Sequence, residues 1–432
     1  METLQTNTEA QSFSPGLMEA TRVWLKIGLL SFGGPAAQIA LMHQILVEEK
    51  GWLSEQKFLN ALSFCMLLPG PEAMQLATYA GWRLHGTLGG LMAGLLFVLP
   101  GACIVLVLAI VYALFEEVPL VSALFLGIKA TVLVIVLQAL LKVSKRALNG
   151  TVYWVIAAAA FVGIFFLSLP YPLIILVAAG IGFILGANAN TDPVEADAGD
   201  RSMFALIRTS AIWLAIWMIP LWLIDAVFSV PLLSEVGLFF ARLAVVTFGG
   251  AYAVLAYMGQ AVVGQFGWLS AGEMMDGLGL AETTPGPLIL VTEFVGFVAG
   301  FRSGGIGIGL AAAGVTLWST FIPCFLWIFA GAPHIEWICN QPRLKGALTG
   351  ISAAVVGVIL NLSIWFSLHV IFQSVSREQF GVFTIWLPQF TSVDIRVVAL
   401  VVLCAVLVFK LQWPITRVLV LSAVIGGVIA SI

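Results

Sequence analysis

Charge is what this 432-residue chain has least of. Only 9% of its residues are charged, against about a quarter in a soluble globular protein. That deficit excludes a soluble domain of this length. The formal net charge of −3 offers nothing to nucleic acid. Cysteine is also scarce. Cys65, Cys103, Cys324, Cys339 and Cys404 stand without paired spacing and read as small apolar core residues, not as disulfides or metal ligands. His43, His85, His334 and His369 have no metal-ligand spacing either, and loop or interface roles are expected for them. No nucleophile–base pair is evident, so neither an enzyme nor a cofactor is expected. Residues 1–16 lack a basic segment followed by an apolar one, and no cleaved signal peptide is expected.

What the chain has is apolar length. It is 61% hydrophobic, with a mean hydropathy of +1.06. Runs at 91–115, 119–141, 151–187, 203–228 and 304–332 reach the roughly 20 residues that cross a bilayer core. The partner this composition implies is lipid, and the fold class is an all-α polytopic membrane protein. Residues 188–202 (NANTDPVEADAGDRS) are the one interior stretch that reads as a hydrophilic linker.

The chain is also a duplication. At an offset of 216, Phe32-Gly33-Gly34 meets Phe248-Gly249-Gly250, Gly51-Trp52-Leu53-Ser54 meets Gly267-Trp268-Leu269-Ser270, and Pro69-Gly70-Pro71 meets Pro285-Gly286-Pro287. Across 26–71 there are 16 identities in 46 aligned pairs. Further on the offset becomes 223, where Pro100 meets Pro323, Gly127-Ile128 meets Gly350-Ile351, and Gln138 meets Asn361. The expected organisation is a first repeat over 17–187, a linker and one unpaired helix over 188–230, and a second repeat over 231–432.

Proline and glycine interrupt the apolar segments at equivalent places, and both break helices. The 17–47 segment is interrupted at Ser31-Phe32-Gly33-Gly34-Pro35. The 58–83 segment is interrupted at Pro69-Gly70-Pro71, leaving two pieces of about 12 residues, each too short to span alone. Re-entrant hairpins are therefore expected. Trp52 and Trp268 read as interfacial anchors, with Ser54 and Ser270 capping the helices that follow. Basic residues favour the cytoplasmic side. The 119–141 helix ends in Lys142, Lys145 and Arg146, whereas its repeat partner begins with Arg343 and Lys345. Equivalent helices thus run in opposite directions, and the unpaired helix at 203–228 supplies the odd crossing. Arg242, Arg302, Arg377 and Arg396 fall outside, Lys129 lies mid-membrane, and the other basic residues fall inside. This predicts two inverted-topology repeats with about nine spans and four re-entrant segments, an arrangement used by secondary transporters, with a cytoplasmic N-terminus.

The strings SFGGP, GWLS, LLPGPEAMQLATYAGW and GLLFVLPG, with FGGAYAVLAYM, LAETTPGPLILVTEFVGFVAG and AAVVGVILNL, resemble the chromate ion transporter family in its two-domain, long-chain form. The resemblance runs over residues 20–372, in order and in both halves. It implies a plasma-membrane (inner-membrane) transporter that exports chromate and confers resistance, with sulfate as a look-alike substrate. It also implies that the family's motif positions fall on Phe32, Gly33, Gly34, Pro69, Gly70, Pro71, Phe248, Gly249, Gly250, Pro285, Gly286 and Pro287.

Independently of that resemblance, each break should start a half-helix near the midplane, at Pro35, Pro71, Ala251 and Pro287. A helix N-terminus carries unsatisfied N–H groups and roughly half a positive charge, so several converging on one point can hold a tetrahedral dianion. The alternative is that the glycines only permit close helix packing. Ionisable residues at membrane depth are functional candidates. Glu72, which shares a helix face with Gln75 and Tyr79, could carry a proton or could be a structural acid. Glu282, Glu293 and Lys129 are further candidates for proton coupling or counter-charge, and Lys129 could equally pair with a buried acid. The sequence leaves open a sulfate or other oxyanion importer, a passive anion channel, and assembly as a homodimer.

Overall fold

The computed structural model describes residues 15–115, 118–187, 203–248, 251–339, 341–381 and 383–430. The expected hydrophilic linker at 188–202 and Gly249-Gly250 lie outside the described residues. Each repeat opens with two broken hairpins, laid out alike. In the first, α1 (Leu17–Leu30) stops at Ser31, and α2 (Gly34–His43) starts after Gly33, a left-handed residue with φ +86°. In the second repeat, α9 (Pro231–Val246) stops at Thr247 and α10 (Ala251–Gly259) follows. Both α2 and α10 then widen into a π-helical turn, Gln44–Glu49 and Gln260–Gln265. The two π turns share the 216-residue offset and begin at the Gln44/Gln260 pair. π turns are rare and concentrate at functional places, and no sequence pattern foretold these.

The Gly-Trp-Leu-Ser loops lead into α3 (Glu55–Cys65) and α11 (Ala271–Thr283). Ser54 accepts the Lys57 N–H, and Ser270 forms a full capping box with Glu273, as the sequence predicts. Trp268 differs from its expected anchor role. It is only 8% exposed and stacks on Phe266 at 4.4 Å, so it belongs to the core. After the Pro-Gly-Pro breaks come two long helices, α4 (Glu72–Phe115) and α12 (Val291–Gly331), the latter entered through a 3-10 turn at Leu288–Leu290. Each bends at a second matching place, His85-Gly86 and Gly304-Gly305, where the second residue has positive φ. Each therefore joins a half-helix to a spanning segment.

The remaining helices are α5 (Pro119–Ala147), α6 (Thr151–Phe165), α7 (Tyr171–Ala187), the unpaired α8 (Met203–Phe228), a short α13 (Ile335–Cys339), α14 (Pro342–Ile371), α15 (Ile395–Ala405) and α16 (Ile415–Ala430). The apolar runs at 91–115, 119–141, 151–187, 203–228 and 304–332 are largely helical. Five stretches are long and apolar enough to span by length and composition: Glu72–Phe115, Val121–Ala147, Met203–Ile224, Leu288–His334 and Pro342–Ile371. Helices α6, α7, α15 and α16 have 11 to 17 residues, shorter than the ~20 that cross a 30 Å core upright. Helix α5 runs past the expected end, so Lys145 and Arg146 sit in its last turn.

The all-α expectation needs one correction. Val375–Phe380 and Phe383–Pro388 form an antiparallel hairpin whose turn contains Gly381 at φ +62°. The hairpin covers the α6–α7 connection, where the Thr384 N–H donates to the Phe166 carbonyl at 2.7 Å. The cysteine expectation also needs amendment. Cys65, Cys324 and Cys404 are buried, but Cys103 is exposed on the outer face of α4.

The two repeats exchange their C-terminal helices. α7 and α6 of the first repeat pack on α14 of the second, while α16 and α15 of the second pack on α5 of the first. Small residues set both crossings, because apolar lipid gives helices little reason to associate except close packing. A Cβ on Gly182 would lie 2.2 Å from the Gly346 carbonyl oxygen, and Gly127 abuts the Ser422 backbone. The Thr131 and Ser422 hydroxyls bond at 2.6 Å across the α5–α16 contact. The aligned pair Gly127/Gly350 thus does the same work twice, since Gly350 meets the Ala178 carbonyl of α7.

Gly182→Val should separate α7 from α14 and cost about 1–3 kcal/mol or more. Gly180→Val, where an added Cβ meets nothing within 4 Å, should be near neutral. Thermal unfolding of the two purified variants in one detergent checks this; equal midpoints would contradict the packing assignment.

Candidate functional site

Within a Pro-Gly-Pro run only the glycine has a backbone N–H. The Gly70 N–H donates to the Thr247 carbonyl at 2.8 Å, and the Gly286 N–H donates to the Ser31 carbonyl at 2.8 Å. Thr247 and Ser31 are equivalent residues, each the C-cap where the first helix of a repeat stops. Each break therefore satisfies an orphan carbonyl of the other repeat. The caps are built alike as well. The Ser31 hydroxyl donates to the Ile27 carbonyl and the Thr247 hydroxyl to the Leu243 carbonyl, both at 2.6 Å.

Side-chain amides satisfy further carbonyls. Gln75 Nε2 donates to the Pro69 carbonyl at 2.7 Å. Gln38 Nε2 donates to the Gly286 carbonyl at 2.6 Å and to the Ser31 carbonyl at 3.2 Å. Two more residues let the chains come this close. A Cβ on Gly101 would lie 2.2 Å from the Pro285 carbonyl oxygen, and one on Gly70 would lie 3.1 Å from Cys324 Sγ. Gly101 and Cys324 share the 223 offset, and each follows the paired Pro100 or Pro323. Their motif prolines thus stand beside residues that seat the opposite break.

Between the two breaks lies a cavity of about 20 Å³ lined by Pro35, Gln38, Gly70, Pro71, Glu72 and Thr247 of one wall, with Pro287 and its followers on the other. That is enough for water-sized occupants. The starts of α2 and α4 and the turn preceding α12 border it, and the first two bring positive helix ends to one small space. Gln38 Oε1, of the lining, and Gln75 Oε1, behind it, are buried without hydrogen-bond partners.

Of the residues the sequence singles out, Gly70, Pro71, Glu72 and Pro287 line this cavity, and Pro69, Gln75, Pro285 and Gly286 hold its walls from behind. Phe32 is 42% exposed, and it and Gly33 and Gly34 are not in the lining. Phe248 is half-buried, while Gly249 and Gly250 lie outside the described residues. The ionisable candidates disperse. Glu282, buried beside the second break, accepts a hydrogen bond from the Tyr252 hydroxyl at 2.7 Å. Glu293 is 1% exposed with Oε2 unpartnered. Lys129 sits elsewhere, against Asp276 at 3.3 Å. The histidines hold loops and packing, His43 on Glu48 and Glu55, His85 on the Pro15 carbonyl, and His369 against Trp365 and Trp386. Among the described residues no group of three metal-ligand side chains occurs.

Sequence reasoning missed Gln38, Ser31, Thr247 and Asp276. Gln38 had a signal, as the one amide in the apolar run of α2, and Ser31/Thr247 had another, as a conservative pair just ahead of the aligned Phe-Gly-Gly. Asp276 aligns with Asn60 in the repeat and was visible as a carboxylate within an apolar stretch.

Broken helices tied reciprocally across a duplicated, lipid-exposed helical chain define a multi-pass membrane protein. The chain belongs to the chromate transporter family, whose model matches residues 18–183 and 234–429. It is 34% identical over 351 residues to the chromate transport protein of Pseudomonas aeruginosa, covering 78% of this chain and 77% of that one. It is 30% identical over 349 residues to the probable chromate transport protein of Synechococcus elongatus (79% and 82%) and 29% identical over 344 residues to the chromate transport protein of Cupriavidus metallidurans (79% and 80%). No solved structure matches it.

Gln38→Leu would leave the buried Gly286 carbonyl without its side-chain donor, at a cost of about 1–3 kcal/mol. A lowered unfolding midpoint of the purified variant is the expected result; an unchanged midpoint would remove Gln38 from the ties that hold the breaks.

Proposed function

We propose that this protein carries tetrahedral oxyanions, chromate first among them, through the crossing of its two broken hairpins, and that its physiological direction is efflux, giving chromate resistance. The observation that carries this reading is the pair of reciprocal glycine bonds, which bring backbone N–H ends of both repeats to one cavity. Such a cage favours a dianion without a matching number of buried lysines. The names of its relatives supply the substrate.

The site residues of this reading are Gln38, Gly70, Pro71, Glu72 and Pro287 at the cavity, with Phe32, Gly33, Gly34, Phe248, Gly249 and Gly250 included on the strength of the repeated Phe-Gly-Gly motif. The 17–187 and 231–432 repeats are inverted, with α8 as the odd crossing between them. Reciprocal bonding between equivalent residues is the pattern a two-fold relation produces, and the swap of basic residues between α5 and α14 gives that relation its inverted sense. The protein sits in the plasma membrane with its N-terminus in the cytoplasm.

Efflux agrees with charge. Moving a dianion out of an inside-negative cell gains roughly 4.6 kcal/mol per 100 mV, twice the value for one charge. Glu72 is the acid that modulates this. Ionised, it repels a dianion at the cavity; protonated, it can donate a hydrogen bond to it. A passive channel would show flux unaffected by a proton gradient, which separates it from this reading. Sulfate import by the same cage is the second reading, favoured only by the shared tetrahedral shape.

In proteoliposomes, chromate should move above empty vesicles, faster when the potential repels it, and its rate should depend on a pH gradient. Glu72→Gln should keep chromate flux and lose the pH dependence. Absence of flux for both chromate and sulfate would overturn the substrate; unchanged pH dependence in Glu72→Gln would clear that glutamate of proton coupling.

A further inference from the structure

We propose that a vestibule around Lys129 is a second oxyanion site, opened when Asp276 takes up a proton. The inference rests on the oxyanion reading above and adds a place and a control to it. The vestibule is a cavity of about 380 Å³, separate from the one at the breaks, where the C-terminal end of α4, the first half of α5 and the N-terminal end of α11 meet. It is lined by Tyr112, Ser122, Lys129, Ser270, Gly272 and Asp276, with Glu273 and Phe125. Lys129 lies ten residues into α5, so the vestibule reaches ~15 Å along that helix.

Asp276 is 4% exposed, yet it is only half satisfied. Its Oδ2 faces Lys129 Nζ of α5 at 3.3 Å and accepts from the Tyr112 hydroxyl of α4 at 3.0 Å. Its Oδ1 is buried with no partner. A carboxylate oxygen buried in this way lacks the donor its charge requires. The other acids of the same helix have partners: Glu273 is engaged by Arg302 of α12 and by the Ser270 N–H, and Glu282 by the Tyr252 hydroxyl. Lys129 and Asp276 thus balance one another, and a dianion arriving at the vestibule meets no net positive charge.

A proton on Oδ1 changes the balance. It neutralises Asp276, gives the orphan oxygen an O–H, and leaves the Lys129 ammonium without its Asp276 counter-charge. The ammonium, whose side chain is 26% exposed, then faces the cavity as a free cation. Ser270, whose oxygen accepts the Glu273 N–H at 3.2 Å, keeps its own O–H proton to donate. Gly272 matters sterically, since a Cβ there would lie 3.2 Å from Lys129 Nζ. The ammonium therefore rests over bare backbone at the start of α11.

The arrangement occurs once. Lys129 aligns with Ser352 and Asp276 with Asn60, so the lysine–aspartate pair itself has no counterpart in the other repeat. If one proton is taken up for each anion bound here, affinity rises about tenfold for each pH unit lost across the titration of Asp276.

Radiolabelled sulfate binding to the purified full-length protein between pH 8 and pH 6 tests this. The wild type should show a class of sites that tightens as pH falls, beside the class at the breaks. Asp276→Asn should hold the vestibule class at all pH values, with its pH slope gone. Because Lys129→Gln alone would leave Asp276 buried without its cation, the Lys129→Gln, Asp276→Asn double variant, which is neutral, serves as well. It should lose the vestibule class and keep the other. With Glu72→Gln as the background, so that the breaks contribute no pH slope, a slope that persists in Asp276→Asn, or an undiminished vestibule class in the double variant, overturns the inference and leaves the oxyanion reading standing. No sulfate or chromate binding by the wild type at any pH overturns both.

Discussion

Every break in a membrane helix leaves backbone groups that hydrocarbon will not solvate, and this fold answers that constraint by making each repeat complete the other. The two glycine N–H groups that survive between prolines are spent on the helix ends of the opposite half, Gly70 on Thr247 and Gly286 on Ser31. Much of the remaining architecture follows from holding those two bonds. Gln38 and Gln75 satisfy the carbonyls the breaks expose, and Gly101 and Cys324 allow the spanning helices to stand against the opposite break. The exchange of α6/α7 and α15/α16 onto α14 and α5 repeats the same logic at the periphery, with Gly127 and Gly350 as its matched contact points.

Function follows from what such a crossing concentrates. Half-helices that begin at one place present positive ends there, which is why we propose the cavity between them as the anion site. In the proposed transport cycle the two halves part to pass an anion from one side of the membrane to the other. Two halves joined by a few reciprocal bonds are suited to that kind of rocking, in which the ties act as pivots and the helices move as bodies.

Much of this was legible in the sequence because duplication writes its signals twice. Pro69-Gly70-Pro71 and Pro285-Gly286-Pro287 disclosed the breaks, and the two Gly-Trp-Leu-Ser loops disclosed the capped helices after them. What stayed hidden depends on partners distant in the chain. Gln38 reads as one polar residue among apolar ones until Gly286 is seen 2.6 Å away. Asp276 gains meaning only from Lys129 and Tyr112, which lie on other helices. The π turns at Gln44–Glu49 and Gln260–Gln265 have no compositional mark, and the hairpin at 375–388 was masked by its place between two apolar runs. Trp268 misled because aromatic residues near loops sit both at membrane interfaces and in cores, and only its stacking on Phe266 distinguishes the two.

The central claim is that an oxyanion is held where the two breaks meet. A structure of the full chain determined with selenate, a tetrahedral dianion with an anomalously scattering atom, tests it most directly. The account predicts selenium signal between Gln38, Pro71 and Pro287, within reach of backbone N–H groups from both repeats. Selenium signal absent from that crossing, in a protein shown to transport selenate in the same preparation, would contradict it.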